Sequence, residues 1–325
     1  MRPGAEAAVT AIGTPALLRS AIDRLRDRVV GRTTDLFAHA PYPLARSLTH
    51  RGDPGLFGPG SVTWPVIGDV AAFVGGIRAL LVQAAHPEVV AGVADHSAYR
   101  QDPLGRLSRT SAYVTAMAFG ARPEVEHAAQ VVRDRHRPVF GTSHRGRPYA
   151  ADTPELAAWV HNALTSSFLV AYQQFGPARL SRFDSDRFVA EQTRVGALLD
   201  AAPLPERASD LEAWLEGHPQ VAWSPGMEEV LRFLRFPPMP LPIRVVYTAM
   251  FHAAAATIPD RLRAVLGLRR LPGALATGRA TTRFLRWSLG SSPSWQLALL
   301  RVGAELPPGL FRQPPPATGD GEMER

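Results

Sequence analysis

VAAFVGGIRALLVQAA, residues 70–85, is the stretch that decides the fold. Its apolar side chains fall on nearly every side of a helical wheel, and the run is longer than the roughly 4–8 residues of a typical strand. A helix apolar all round must be enclosed by other elements or by lipid. Gly75, Gly76, Arg78 and Gln83 interrupt it, well short of the ~20 apolar residues that cross a bilayer. It therefore reads as a helix buried among other helices, which His86-Pro87 then stops or restarts, because the residue before proline is driven out of the helical region.

Working outward, the chain keeps a helical period. Pro15–Ala40 is an amphipathic lead-in helix, and His50–Pro65, rich in Gly and Pro, is a loop. Pro103–Phe119 and Pro123–Phe140 follow as helices, each opened by a proline where a first turn tolerates one. Thr142–Asp152 is read as a loop. Asp152 or Thr153 with Glu155 has the pattern of a capping box for a helix running through Trp159, His161 and Tyr172 to Gly176. Shorter helices are expected at Asp184–Ala201, Ser209–Gly217 and Pro225–Phe236. After a proline-rich loop at Pro237–Pro242, a helical pair spans Arg244–Arg301. No internal repeat and no alternating strand series is present. The expected fold is all-α: a lead-in over 1–49, one large helical domain over 50–307, and an unstructured tail over 308–325.

Composition removes whole classes of chemistry. The chain has 325 residues, 46% of them apolar, and a formal charge of +7. It contains no Cys and no Lys, so all 36 basic residues are Arg. Thiolate nucleophiles, disulfides, iron–sulfur clusters and thiolate-ligated haem are excluded, as are a P-loop lysine, a Schiff base and a pyridoxal anchor. The Arg residues are spread among Leu, Val and Ala rather than clustered with aromatics, which argues against a nucleic-acid partner. No GxSxG, HExxH or GxGxxG motif occurs. Glu124-x-x-His127 is half of a di-iron carboxylate pattern, and without a second copy it reads as a helix start. Residues 1–32 show no charged segment followed by an apolar run and no twin-arginine pair, so a cytoplasmic location is expected.

His is the metal ligand that remains. His86, His96, His136 and His161 lie in helical or near-helical apolar context. Val132, Val139 and Phe140 surround His136 at i−4, i+3 and i+4, with Arg133, Arg135 and Arg137 on neighbouring faces. A proximal haem ligand needs that arrangement, a neutral imidazole in an apolar slot with cations for the propionates; a half-buried His on a basic helix has the same pattern. His161 sits among Ala157, Ala158, Leu164 and Thr165, which leaves room for a flat macrocycle or lets two helices pack closely. Arg106, Arg109 and Thr110 share one helical face, as a solvated Arg face or as a propionate or oxygen-binding site.

Several of these runs together resemble one family. They are Ala79 to Pro87, Gly92 to Ser97, Asp102-Pro103 through Arg106 to Thr110, Val132 to His136, and Tyr149 through Trp159-Val160-His161. The chain is similar over roughly Gly58–Leu306 to the rubber oxygenases and MpaB-type oxygenases. The resemblance implies an all-helical fold around haem b, and dioxygen chemistry on an apolar small molecule such as a terpenoid, polyketide or lipid, including oxidative alkene cleavage. It places the haem ligand at His136, with Arg106, Arg133 and His161 as further cofactor contacts. It places Arg106, Arg109, Thr110 and a carboxylate, Glu88 or Asp95, in the reaction. Two departures stand out. Arg109 replaces a Lys, and a guanidinium has no lone pair to offer iron, so the sixth iron position is expected to be open or water-filled. Pro65 stands where Arg is common. The alternatives are the same fold with another metal or none, and a membrane-surface binding protein using Arg261–Trp287.

Overall fold

The computed structural model describes residues 16–318. Fourteen α-helices and one two-stranded sheet make up the described fold. Helix α1 (Ala16–Phe37) leads in, and a long loop containing the short 3-10 turn Ser47–Thr49 brings the chain to α2 (Thr63–Gly68). The stretch that opened the sequence reading forms α3 (Ala71–Gln83). It is followed by α4 (Pro87–His96), α5 (Pro103–Phe119) and α6 (Arg122–His136), then by strands β1 (Phe140–Thr142) and β2 (Pro148–Ala150). Next come α7 (Pro154–Phe175), α8 (Arg182–Ala197), α9 (Ala208–Gly217) and α10 (Pro225–Arg235). Helices α11 (Leu241–Ala256), α12 (Asp260–Val265), α13 (Ala274–Leu289) and α14 (Pro293–Arg301) complete the set. No helix among the described residues is long and apolar enough to cross a membrane.

Helix α3 is the centre of the packing, lying most extensively against α7 and next against α11. Gly75 makes the first contact possible. A Cβ there would stand 2.7 Å from the Phe168 ring, 3.2 Å from Phe168 Cα and 3.2 Å from the Ser167 carbonyl oxygen. Gly76, on the next face, would meet nothing within 4 Å. Val74, Leu81, Val82, Trp159, Ala163, Phe188 and Ile258 fill the main core. A second cluster gathers Leu44, Phe57, Trp64, Phe119 and Leu297, and Trp64 donates its indole N–H to the Ala118 carbonyl at 2.8 Å. Arg78, expected only as an interruption, is buried, and donates to the hydroxyls of Ser166 and Ser167. Arg301 is buried as well. It donates to the carbonyls of Asp53 and Phe119, both at 2.7 Å, and to Ser47 Oγ at 2.6 Å, tying α14 to the N-terminal loop.

The helical expectation holds, with local corrections. Helix α6 stops at His136 rather than Phe140, because Pro138 has no N–H to continue the ladder. The segment read as a loop contains an antiparallel hairpin, with Phe140 opposite Ala150 and Thr142 opposite Pro148. Thr153 takes the N-cap of α7 without a side-chain cap bond; its hydroxyl turns back to the Ala150 carbonyl at 2.9 Å. The last helical pair is four helices, broken at Pro259, at Pro272-Gly273 and at Gly290 to Pro293. Residues 308–318 were expected to be unstructured, yet Phe311 bridges to Gly290 and the Leu310 carbonyl accepts from the Ser291 N–H at 2.9 Å. Residues 1–15 and 319–325, which hold the rest of the expected lead-in and tail, lie outside the described residues.

Candidate functional site

The end of α4, the start of α5 and the hairpin converge at one corner. Asp102 caps α5 through the Gly105 N–H at 2.9 Å and also pairs with Arg109 at 3.0 Å on the exposed surface. That hydrogen bond from Arg109 holds the Asp102 carboxyl below its usual range. Arg106, one turn earlier than Thr110, is half-buried. Its guanidinium donates to Ser97 Oγ at 3.0 Å and lies 5.8 Å from the Tyr99 ring, and burial lowers its pKa. The shared face read from the sequence is thus divided: Arg106 turns inward, while Arg109 and Thr110 stay exposed.

Asp95, near the end of α4, is exposed and accepts the Tyr149 phenol at 2.5 Å. Burial and that carboxylate push the Tyr149 hydroxyl up to about 12, so it remains a proton donor at neutral pH. His96 Nε2 lies 3.1 Å from the Phe140 carbonyl, and the His96 and Tyr149 rings meet edge-on. These contacts clamp the hairpin to α4. The carbonyl of His136, last residue of α6, accepts from the Val139 N–H at 2.8 Å as the chain turns into β1. The half-buried imidazole makes no hydrogen bond among the described residues, and burial holds its pKa below the ordinary His value. Phe140, expected at i+4 from His136 on one helix face, lies instead on β1 beyond the end of α6 and is 66% exposed. Arg133 is committed elsewhere, to the Leu198 carbonyl at 2.7 Å and to Gln130.

His161 lies deeper, buried on α7, where burial pushes its pKa down to about 4. Its Nε2 is 3.3 Å from Thr165 Oγ1. With Tyr113, Val114 and Met117 of α5, it borders a cavity of about 20 Å³, room for about one water. Those α5 positions stand three, four and seven residues beyond Thr110, on the same helical face.

A further cluster was named in the sequence only by two of its members, His86 and Glu88, without their partners. Glu88 is buried and accepts from Ser143 Oγ at 2.8 Å and from Arg145 through Nε at 3.1 Å and a terminal nitrogen at 2.5 Å. Burial pushes this carboxyl up, but the Arg145 and Ser143 bonds outweigh it and hold the group below its usual range. His86 Nδ1 is 3.4 Å away. Burial drives its pKa down to about 4, and its ring packs with Trp159 and His218. Of the two carboxylates expected near the reaction, Glu88 is a buried tie between α4 and the hairpin turn, whereas Asp95 faces solvent. The His86-x-Glu88 spacing was the available signal; its partner Arg145 was hidden because the hairpin was read as a loop.

One half-buried imidazole, that of His136, could give a single nitrogen to a group that brings its remaining ligands with it. Among the described residues no three His, Asp or Glu side chains come together to hold a bare metal ion. His136 offers one neutral nitrogen, and Arg109, protonated and paired, offers none.

The model of the family described as ER-bound oxygenase mpaB/B'/rubber oxygenase, catalytic domain, matches residues 64–287. Neither the curated proteins nor the solved structures contain a significant match. The matched span runs from α2 to α13, well over half of the chain, and takes in Asp95, Arg106, His136 and His161. This chain belongs to the mpaB/rubber oxygenase catalytic-domain family.

Proposed function

We propose that the protein is a haem b-dependent oxygenase that uses O₂ on a hydrophobic small molecule, a terpenoid, polyketide or lipid, with oxidative alkene cleavage as the reaction. The family match to an oxygenase catalytic domain carries this reading. His136 supports it as a half-buried neutral imidazole with no hydrogen bond among the described residues. When bound, haem b supplies a redox iron able to take up dioxygen. His136 would hold the iron, and Arg106, half-buried beside Ser97, would be the cation for a propionate. Arg109, paired with Asp102 on the surface, would offer iron no side-chain donor. Beside the hairpin, Asp95 accepts the Tyr149 phenol and keeps it protonated, a hydrogen-bond donor fixed in place.

Hemin titration tests the assignment. The wild-type chain is expected to give a Soret band at about one haem per chain and a pyridine haemochrome of the b type. His136→Ala is expected to lose the band while retaining its helical circular dichroism. Full Soret absorbance in that variant rejects His136, and an iron-free protein that refuses hemin rejects the cofactor and leaves the alternative of another metal or none.

A peripheral membrane contact has an observation in its favour. Phe236, Leu241 and Val245 are each more than 60% exposed, close to the exposed Arg235 and Arg244, the composition of a surface that lies on anionic lipid. Leu271 and Phe284 add smaller exposed groups within 261–287. Flotation with phosphatidylglycerol vesicles at low salt, lost at high salt, is the expected result.

A further inference from the structure

A cavity of about 410 Å³ opens where α2, α7, α13 and α14 meet the C-terminal strap at 309–312. That volume falls in the range of about 300–1,000 Å³ that accommodates small organic ligands. None of its lining residues belongs to the corner around Arg106 and His136. Its walls include Tyr172, Trp287 and Trp295, and its charged groups are Asp69, Arg283, Arg286 and Arg312.

The charges do not balance internally. Arg286 and Asp69 form a two-pronged pair, with both nitrogen–oxygen distances 2.7 Å, and Arg286 also donates to the Phe175 carbonyl. That pair is self-satisfied. Arg283 and Arg312 remain, both exposed, and neither makes a hydrogen bond or ion pair among the described residues. The Tyr172 hydroxyl likewise has no hydrogen bond there, and burial together with Asp69 pushes its pKa up, so it stays a donor. The Trp295 indole N–H is buried without a partner.

The strap that brings Arg312 to the cavity is held by the fold. Gly290 has φ +69, and a Cβ there would come within 2.8 Å of the Arg312 backbone nitrogen and 2.9 Å of the Leu310 carbonyl oxygen. Only glycine suits that backbone and that approach. The bridge between Gly290 and Phe311 then fixes the strap beside α13.

We propose that this cavity binds an amphipathic organic acid, a carboxylate on a flat apolar body, with Arg283 and Arg312 meeting the carboxylate and the aromatic walls holding the body. Guanidinium–carboxylate hydrogen bonds are charge-assisted and among the stronger ones available. Asp69, the cavity's own carboxylate, is held by Arg286, so a ligand carboxylate would be the anion for Arg283 and Arg312. Tryptophan and tyrosine supply large flat contacts with polar edges.

The test compares 2-naphthoate with 2-naphthalenemethanol, the same ring system without the charge, by titration calorimetry and tryptophan quenching on the full chain. Naphthoate is expected to bind at least tenfold more tightly than the alcohol. The double variant Arg283→Gln/Arg312→Gln is expected to lose at least tenfold in naphthoate affinity with unchanged circular dichroism and melting temperature; both residues are exposed, so folding is spared. The His136→Ala variant is expected to bind naphthoate as the wild type does, which separates this site from the haem assignment. Equal affinity for acid and alcohol, undiminished affinity in the double variant, loss of binding in His136→Ala, or no binding at millimolar naphthoate overturns the proposal.

Discussion

Lowering the pH from 7.5 to 5.0 should weaken the fold through His161, and the size of the effect follows from its burial. The imidazole is buried on α7, and that burial pushes its pKa from 6.5 to about 4. The unfolded chain binds a proton below about 6.5, while the folded chain does not until about 4. Stability from this group is therefore complete above 6.5 and is lost as the pH falls toward 4. Between pH 7.5 and 5.0 the loss amounts to about 2 kcal/mol. Urea unfolding followed by circular dichroism at the two pH values measures it, with His161→Gln as the non-titrating comparison. The variant will be less stable at both pH values, but its fall between them is expected to be smaller by about 2 kcal/mol, with an unchanged urea slope. A fall equal to that of the wild type would show that the His161 site is wet or can protonate where it stands, and the argument from burial fails. His86, also pushed to about 4, contributes in the same direction, but Glu88 at 3.4 Å makes it the less clean reporter.

Three further outcomes follow from the packing and ion pairs. Gly75→Ala is expected to destabilise the protein by about 1–3 kcal/mol by forcing α3 from α7, whereas Gly76→Ala, with open space around it, should gain up to about 1 kcal/mol from helix propensity; urea midpoints read both. Glu88→Gln removes the charge that Arg145 faces and is expected to cost about 2–3 kcal/mol, with faster trypsin cleavage after Arg145 as the local signature. Arg301→Ala strips the buried tie to Asp53, Ser47 and Phe119 and should cost about 3–5 kcal/mol, while Arg109→Ala, which breaks only the exposed pair with Asp102, should change stability by less than about 1 kcal/mol.

The candidate site was legible in part. Arg106, Asp95 and His136 could be singled out because helical spacing and residue chemistry are local properties. Their company was not legible. Asp95 gains a role only from Tyr149, 54 positions away, and Tyr149 arrives on a hairpin of three-residue strands, too short for alternation to announce it. Glu88 could be named as a carboxylate, but its burial depends on Ser143 and Arg145 from the same hairpin. Arg109 and Arg106 look alike in sequence, and only Asp102 on one side and Ser97 on the other send them to different environments.

Read without coordinates, the amino-acid order determined that the chain is helical, that residues 70–85 lie inside, and that thiol and lysine chemistry are absent. Those conclusions need only period, length and composition, which act over a few residues. Tertiary structure decided which of two adjacent glycines admits α7, which buried arginines replace apolar core, where α6 ends and the hairpin begins, and that Arg283 and Arg312 share a cavity with Tyr172. Such matters depend on groups far apart in the chain, and their energies exist only once packing has expelled the water between them.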